Sequence, residues 1–157
     1  MPSRGTVHDR NSRYDRPWTK PYKKAGGTAT MEVLSSRVLL HPRNRERSTA
    51  FYRDVLGLAV HREFPGGTVF VVGGGFLEVS GESGVSPSAA TAVWLQVRDL
   101  AATAAQLVER GVEVLRGPRR EPWGLDEMWI ADPDGLRLVI VEVPADHPLR
   151  VDKRSTP

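Results

Sequence analysis

No cysteine occurs anywhere in the sequence, which excludes disulfides, thiolate metal ligands and a cysteine nucleophile. Long apolar runs are missing as well. No stretch approaches the roughly 20 apolar residues that a membrane-spanning helix needs, and the first residues lack the apolar segment of a secretory signal. A cytoplasmic protein with no membrane partner is the expectation. The glycine pattern that cradles phosphates is also absent: "GGG" at 73–75 runs into a strand rather than a helix and reads as a turn. Ser35, Ser36 and Ser48 have no accompanying arrangement of histidine and acid, so no serine nucleophile is named.

A basic folded surface is missing too, although the net charge is +3 and the pI about 9.6. Residues 1–30 carry seven of the 22 basic residues against two acids, and setting that stretch aside moves the net charge from +3 to −2. The folded part is therefore mildly acidic, and no nucleic-acid partner is expected. The segment 1–30 is polar, punctuated by Pro and Gly, and without a periodic apolar face, so it reads as a disordered basic tail. Met31 precedes the first apolar segment and is a candidate alternative start. With 39% apolar residues the remaining chain can bury a real core. Its expected extent is 31–146, followed by a C-terminal tail at 147–157.

What is present is a repeat. "SRVLL" reads as a strand and "RERSTAFYRDVLG" as a helix near 45–56, with Asn44 as its cap and Gly57 as its stop. "LAVHREF", "TVFVV" and "FLEVS" follow as strands separated by turn signals. The order then recurs. "AVWLQVR" is a strand, and "DLAATAAQLVERG" is a helix near 99–110 with Asp99 as cap and Gly111 as stop. "VEVLRG", "LDEMWIA" and "LRLVIVEV" are strands, with "PRREPWG" a loop and "DPDG" a hairpin turn rather than a calcium loop. Val38 and Val93, Leu40 and Leu95, His41 and Gln96, and Asn44 and Asp99 each lie 55 positions apart. The expected fold class is α+β, built of two tandem βαβββ modules, about 33–81 and about 91–144, whose curved mixed sheets surround a cleft.

"ERSTAFYRDVLGL" with "FLEVSG", and "VRDLAATAAQLVERGVEV" with "PWGLDEMWIADPDGLRLVIVEV", resemble the vicinal oxygen chelate superfamily of glyoxalase, bleomycin-resistance and extradiol-dioxygenase proteins. The resemblance spans roughly residues 33–144. It implies the paired-module fold, and a homodimer that completes the clefts or covers sheet edges. It does not select among isomerases, lyases, dioxygenases and metal-free binding proteins. The superfamily's metal positions correspond here to Arg37, Glu78, Ala92 and Val139. Of these only Glu78 can ligate, since arginine stays cationic and alanine and valine have no lone pair. No metal and no cofactor are therefore expected. If the correspondence holds, Arg37 replaces the missing cation beside Glu78.

His41 shares the strand face of Arg37 by the two-residue period and is read as polar lining. His61 alternates out from Val60 and is read as solvent-facing, while His8 and His147 receive no role. Trp94 shares a face with Gln96, Phe76 shares one with Glu78, and Trp123 sits in a Pro/Gly loop that can fold over a cleft mouth. Planar side chains suit a planar or partly apolar ligand. Trp129 receives no assignment, because both parities of "EMWIA" contain apolar residues. The candidate ligand-binding set is Arg37, His41, Phe76, Glu78, Trp94, Gln96 and Trp123. The function expected is metal-independent small-molecule binding, with sequestration of a drug or natural product as its form. The alternatives are an enzyme of the same fold, using a shifted metal site at His41, Glu78 and Gln96 or His41 and Glu78 as acid and base, and an interaction module without a small ligand.

Overall fold

The structure is a computed structural model that describes residues 31–150. The expected tail at 1–30 and the residues from 151 onward lie outside the described residues. The first module runs β1 (Arg37–Leu40), α1 (Arg45–Ala50), a π-helical continuation (Phe51–Val55), β2 (Val60–Phe64), β3 (Gly67–Val72) and β4 (Gly75–Ser80). The second runs β5 (Ala92–Val97), α2 (Leu100–Glu109), β6 (Val114–Arg120), β7 (Asp126–Ala131) and β8 (Arg137–Glu142). Each forms its own four-stranded sheet, in the orders β1-β4-β3-β2 and β5-β8-β7-β6. In both modules the helix carries the chain from the first strand to the far edge. A three-strand antiparallel meander then returns, so that the last strand lies parallel to the first.

The helix signals lie where local chemistry puts them. Asn44 accepts a hydrogen bond from the Arg47 amide and Asp99 one from the Ala102 amide, each at 2.8 Å. Gly57 and Gly111 follow the helices with φ of 71° and 72°, a region that favours glycine. The first helix departs from expectation at Phe51, where i→i+5 bonding takes over and the Leu56 amide donates to the Phe51 carbonyl at 2.9 Å. Apolar spacing does not separate that pattern from an α-helix. The strand β6 also runs on through Arg120 into residues read as loop. It is an edge strand with register shifts, and Pro118 fits there because no ladder partner needs its missing N–H.

The registers explain where the core sits. Val38 pairs with Leu77 and Leu40 with Val79, as Val93 does with Leu138 and Leu95 with Ile140. These alternate positions face the helices, and all but the exposed Val38 join or pack against one buried cluster with Tyr52, Phe70, Leu107, Met128 and Ile130. The intervening positions of β1, β4, β5 and β8 lie on the opposite, open face of each sheet. Tyr52 is fully buried and donates through its hydroxyl to Asp132 Oδ2 at 2.8 Å, linking the first module to the β7–β8 turn of the second. Burial, reinforced by the Asp132 carboxylate, pushes the Tyr52 phenol far above its ordinary pKa, so it remains a neutral donor. Tyr52→Phe should lower the unfolding free energy by about 1–3 kcal/mol, because a buried carboxylate oxygen loses its donor. Urea unfolding followed by circular dichroism measures this, and an unchanged midpoint would contradict it.

Candidate functional site

On the open face of the first sheet, Arg37 pairs with Phe76 across the strands and Leu39 with Glu78, so Arg37 and Glu78 are diagonal neighbours. Arg37 Nη1 donates to Glu78 Oε2 at 2.6 Å. Glu78 is largely covered and Arg37 is about one-third exposed, with side-chain exposures of 13% and 34%. The guanidinium carbon lies 5.7 Å from the Phe76 ring centre, and the exposed His61 ring stands 4.6 Å from the same ring. The hydrogen bond from Arg37 holds the Glu78 carboxyl below the usual carboxylate range, helped by a further bond from Ser80 and by the nearby Arg37 and Arg62 charges. Glu78 is thus an ionised acceptor already in use.

That arrangement decides the fit of a metal. The superfamily's four positions hold one carboxylate, already engaged, one arginine and two aliphatic side chains. Among the described residues, no group of three or more His, Cys, Asp or Glu side chains is gathered to hold an ion. The residues do not fit the superfamily's metal. The shifted set is not gathered either. His41 lies just past β1 with Nδ1 2.7 Å from the Ser80 carbonyl oxygen, while Gln96 lines a separate hollow.

Six of the seven expected residues form three groups, and Trp123 stands apart. Arg37, Phe76 and Glu78 are one. Trp94 and Gln96 line a hollow of about 420 Å³ closed by the β3–β4 turn and by Thr103 and Leu107 of α2. His41 lines a smaller hollow of about 210 Å³ with Ser48 of α1 and Asp132, Asp134 and Leu136 of the β7–β8 turn. The two hollows are counterparts: Leu39, Leu40, His41, Pro42 and Ser48 in one stand where Trp94, Leu95, Gln96, Val97 and Thr103 stand in the other. Trp123 joins neither hollow. Its indole Nε1 donates to Glu127 Oε1 at 2.9 Å, and the residue remains 57% exposed.

The open face of the second sheet holds residues that sequence reasoning missed. Trp129 pairs with Val139, which pairs with Trp94, so the three share a face. The guanidinium carbons of Arg116 and Arg137 lie 3.7 and 4.7 Å from the Trp129 ring centre. Arg116 Nη2 contacts Glu121 at 2.5 Å and Glu127 at 3.5 Å, and Arg119 Nε reaches Glu121 at 3.0 Å. The Arg119 hydrogen bond, with the Arg116 charge behind it, holds Glu121 below the usual carboxylate range. Glu127, two positions before Trp129, marked this face in the sequence. His61, read as solvent-facing, is exposed; its contact with Phe76 follows a register shift between Val60 and Arg62 that breaks simple alternation.

Two mixed four-stranded sheets of repeated βαβββ order define a paired-module protein of the vicinal oxygen chelate type, here with an Arg37–Glu78 pair at two of its metal positions. A family model for the Glyoxalase/Bleomycin resistance protein/Dioxygenase superfamily matches residues 36–140, and the chain belongs to that superfamily. A superfamily structure from Sphaerobacter thermophilus DSM 20745 is similar at 25% identity and TM-score 0.60, covering 72% of this chain and 99% of its own. A glyoxalase-related enzyme from Fulvimarina pelagi matches at 24% identity and TM-score 0.60, covering 73% of this chain and 91% of its own. A glyoxalase/bleomycin resistance protein/dioxygenase from Nocardioides matches at 19% identity and TM-score 0.63, covering 80% and 93% respectively. No curated protein matches the chain.

The Arg37–Glu78 contact should be non-additive in a double-mutant cycle. Arg37→Ala alone leaves a carboxylate without its partner, and Glu78→Gln in that background should recover part of the loss, with a coupling of about 1 kcal/mol or less for a partly exposed pair. The folded pKa of Glu78 lies below its unfolded value of about 4.3. Its stabilisation is therefore present above that value and lost as pH falls through the folded one. Arg37→Ala should move the Glu78 carboxyl titration upward by NMR. An unmoved titration would show that the contact is not what holds it.

Proposed function

We propose that the protein binds a small planar or partly apolar molecule without a metal, and sequesters a drug or natural product in the manner expected of bleomycin-resistance proteins. The observation that carries this reading is the donor set. Arginine, alanine and valine stand at three of the four metal positions, and the one carboxylate is held by Arg37 at 2.6 Å. A hollow of about 420 Å³ beside Trp94 falls within the range of ligand sites, roughly 300–1,000 Å³. No helix among the described residues is long and apolar enough to cross a membrane. With the absence of cysteine, this supports the cytoplasm as the place of action.

The protein acts as a homodimer in this reading. The polar contacts of each open face stay within its own module, while Leu39 and Trp94, on edge strands β1 and β5, are 57% and 47% exposed. A second copy supplies the opposing wall and covers these edges. Sedimentation at micromolar concentration should give a dimer, and a monomer independent of concentration would reject the pairing. A thermal-shift panel of planar natural products, with divalent metals and with chelator, should show stabilisation by a ligand and indifference to both metal and chelator. A ligand at 100 times its Kd would add about 2.7 kcal/mol. Purified protein carrying a stoichiometric divalent ion that Glu78→Gln removes would overturn the metal-free reading.

A further inference from the structure

Charge on the open face of the second sheet does not balance. Arg116 and Arg119 are matched by Glu121 and Glu127. Arg137 lies over the same Trp129 ring and has no carboxylate partner among the described residues. Arg116 Nε, Trp129 Nε1 and Arg137 Nε are buried beside one another without a hydrogen-bond acceptor. With Arg116 already matched, the unmatched charge around this indole is that of the half-buried Arg137, which an anion at its guanidinium neutralises. The Trp129 ring, 4.7 Å from the Arg137 guanidinium carbon, restrains that group before any carboxylate docks.

The neighbours of Arg137 set the shape of that anion. Ala92 lies opposite Arg137 and Trp94 opposite Val139, two residues further along the same face. Two strand residues span about 7 Å, roughly the separation of a carboxylate and the far side of an aromatic ring. Ala92 is small and exposed, leaving room beside the guanidinium, and Trp94 is 47% exposed. We propose that this face binds a planar aromatic carboxylate, its charge on Arg137 and its ring over Val139 against Trp94. This rests on the small-molecule-binding reading and names a ligand class for the open face, which shares Trp94 with the hollow of about 420 Å³.

Calorimetric titration of the full chain with 2-naphthoate, 2-naphthamide and cyclohexanecarboxylate separates charge from planarity. Naphthoate should bind at least tenfold more tightly than either of the others. Arg137→Gln should abolish its advantage over the amide, and Trp94→Ala its advantage over the saturated acid. Ala92→Asp sets a competing carboxylate beside Arg137 from an exposed position and should suppress naphthoate binding tenfold, which keeps the test available if Arg137→Gln does not fold. Arg119→Gln, on the same face but away from the proposed contacts, should change naphthoate affinity less than twofold. Equal binding of naphthoate and naphthamide, or naphthoate affinity that survives both Arg137→Gln and Ala92→Asp, would overturn the anion assignment while leaving planar-ligand binding intact. No naphthoate binding at millimolar concentration would overturn this inference alone, since the thermal-shift panel judges the wider reading through other ligands.

Discussion

The hydrogen bond between Tyr52 and Asp132 holds the two modules in one register. Tyr52 projects from the π-helical turn that follows α1, and Asp132 begins the β7–β8 turn. The same carboxylate accepts from the Asp134 and Leu136 amides at 2.9 and 2.8 Å, so both its oxygens are engaged. Asp134 in turn accepts from the Arg43 amide at 2.7 Å, and Arg110 donates to the Val55 carbonyl at 2.6 Å. A buried carboxylate without such donors would cost several kcal/mol. The surrounding cluster contains thirteen buried apolar residues, each worth roughly 1.5–3 kcal/mol when large and fully buried. Apolar burial therefore dominates cohesion, while the directional bonds to Asp132 choose which packing is adopted.

That choice settles what each open face presents. Because both sheets turn their alternate apolar positions toward the shared core, Arg37, Phe76 and Glu78 fall together on one face, and Trp94, Trp129, Arg137 and Val139 on the other. In the first module the guanidinium of Arg37 supplies the positive charge that a cation would bring to Glu78. It differs from a metal in consequence. A guanidinium offers hydrogen-bond donors but no open coordination position, so it orients the carboxylate without becoming a Lewis acid.

The fold was legible because the two halves repeat one pattern 55 residues apart, with helix caps at Asn44 and Asp99 and glycine stops after both helices. The Arg37–Glu78 contact was legible only through the family resemblance, since residues 41 positions apart carry no local signal for each other. The grouping of the other candidates was not legible. Face parity placed His41 with Arg37, but parity ends with the strand, and His41 falls after Leu40, where its ring turns to the Ser80 carbonyl. Trp123 carried no period at all, and its position depends on the side chain of Glu127. Trp129 was ambiguous because β7 is buried on both sides, the helix-facing side by the core and the open side by Arg116 and Arg137.

The repeat also shows how one scaffold yields two different surfaces. At matched positions, Leu39 faces Trp94, Arg37 faces Ala92 and Glu78 faces Val139 in the comparison of the two modules. The first module thus carries a neutralised ion pair, and the second has Ala92 and Val139 at those two positions, with a cation on the neighbouring strand opposite Ala92, at Arg137. Two identical walls would offer a ligand no preferred direction. With the charge of Arg37 closed on Glu78 and that of Arg137 left without a carboxylate among the described residues, the two open faces differ in polarity. An anionic group meeting the two faces would find unmatched positive charge on the second alone, so electrostatics rather than shape distinguishes them.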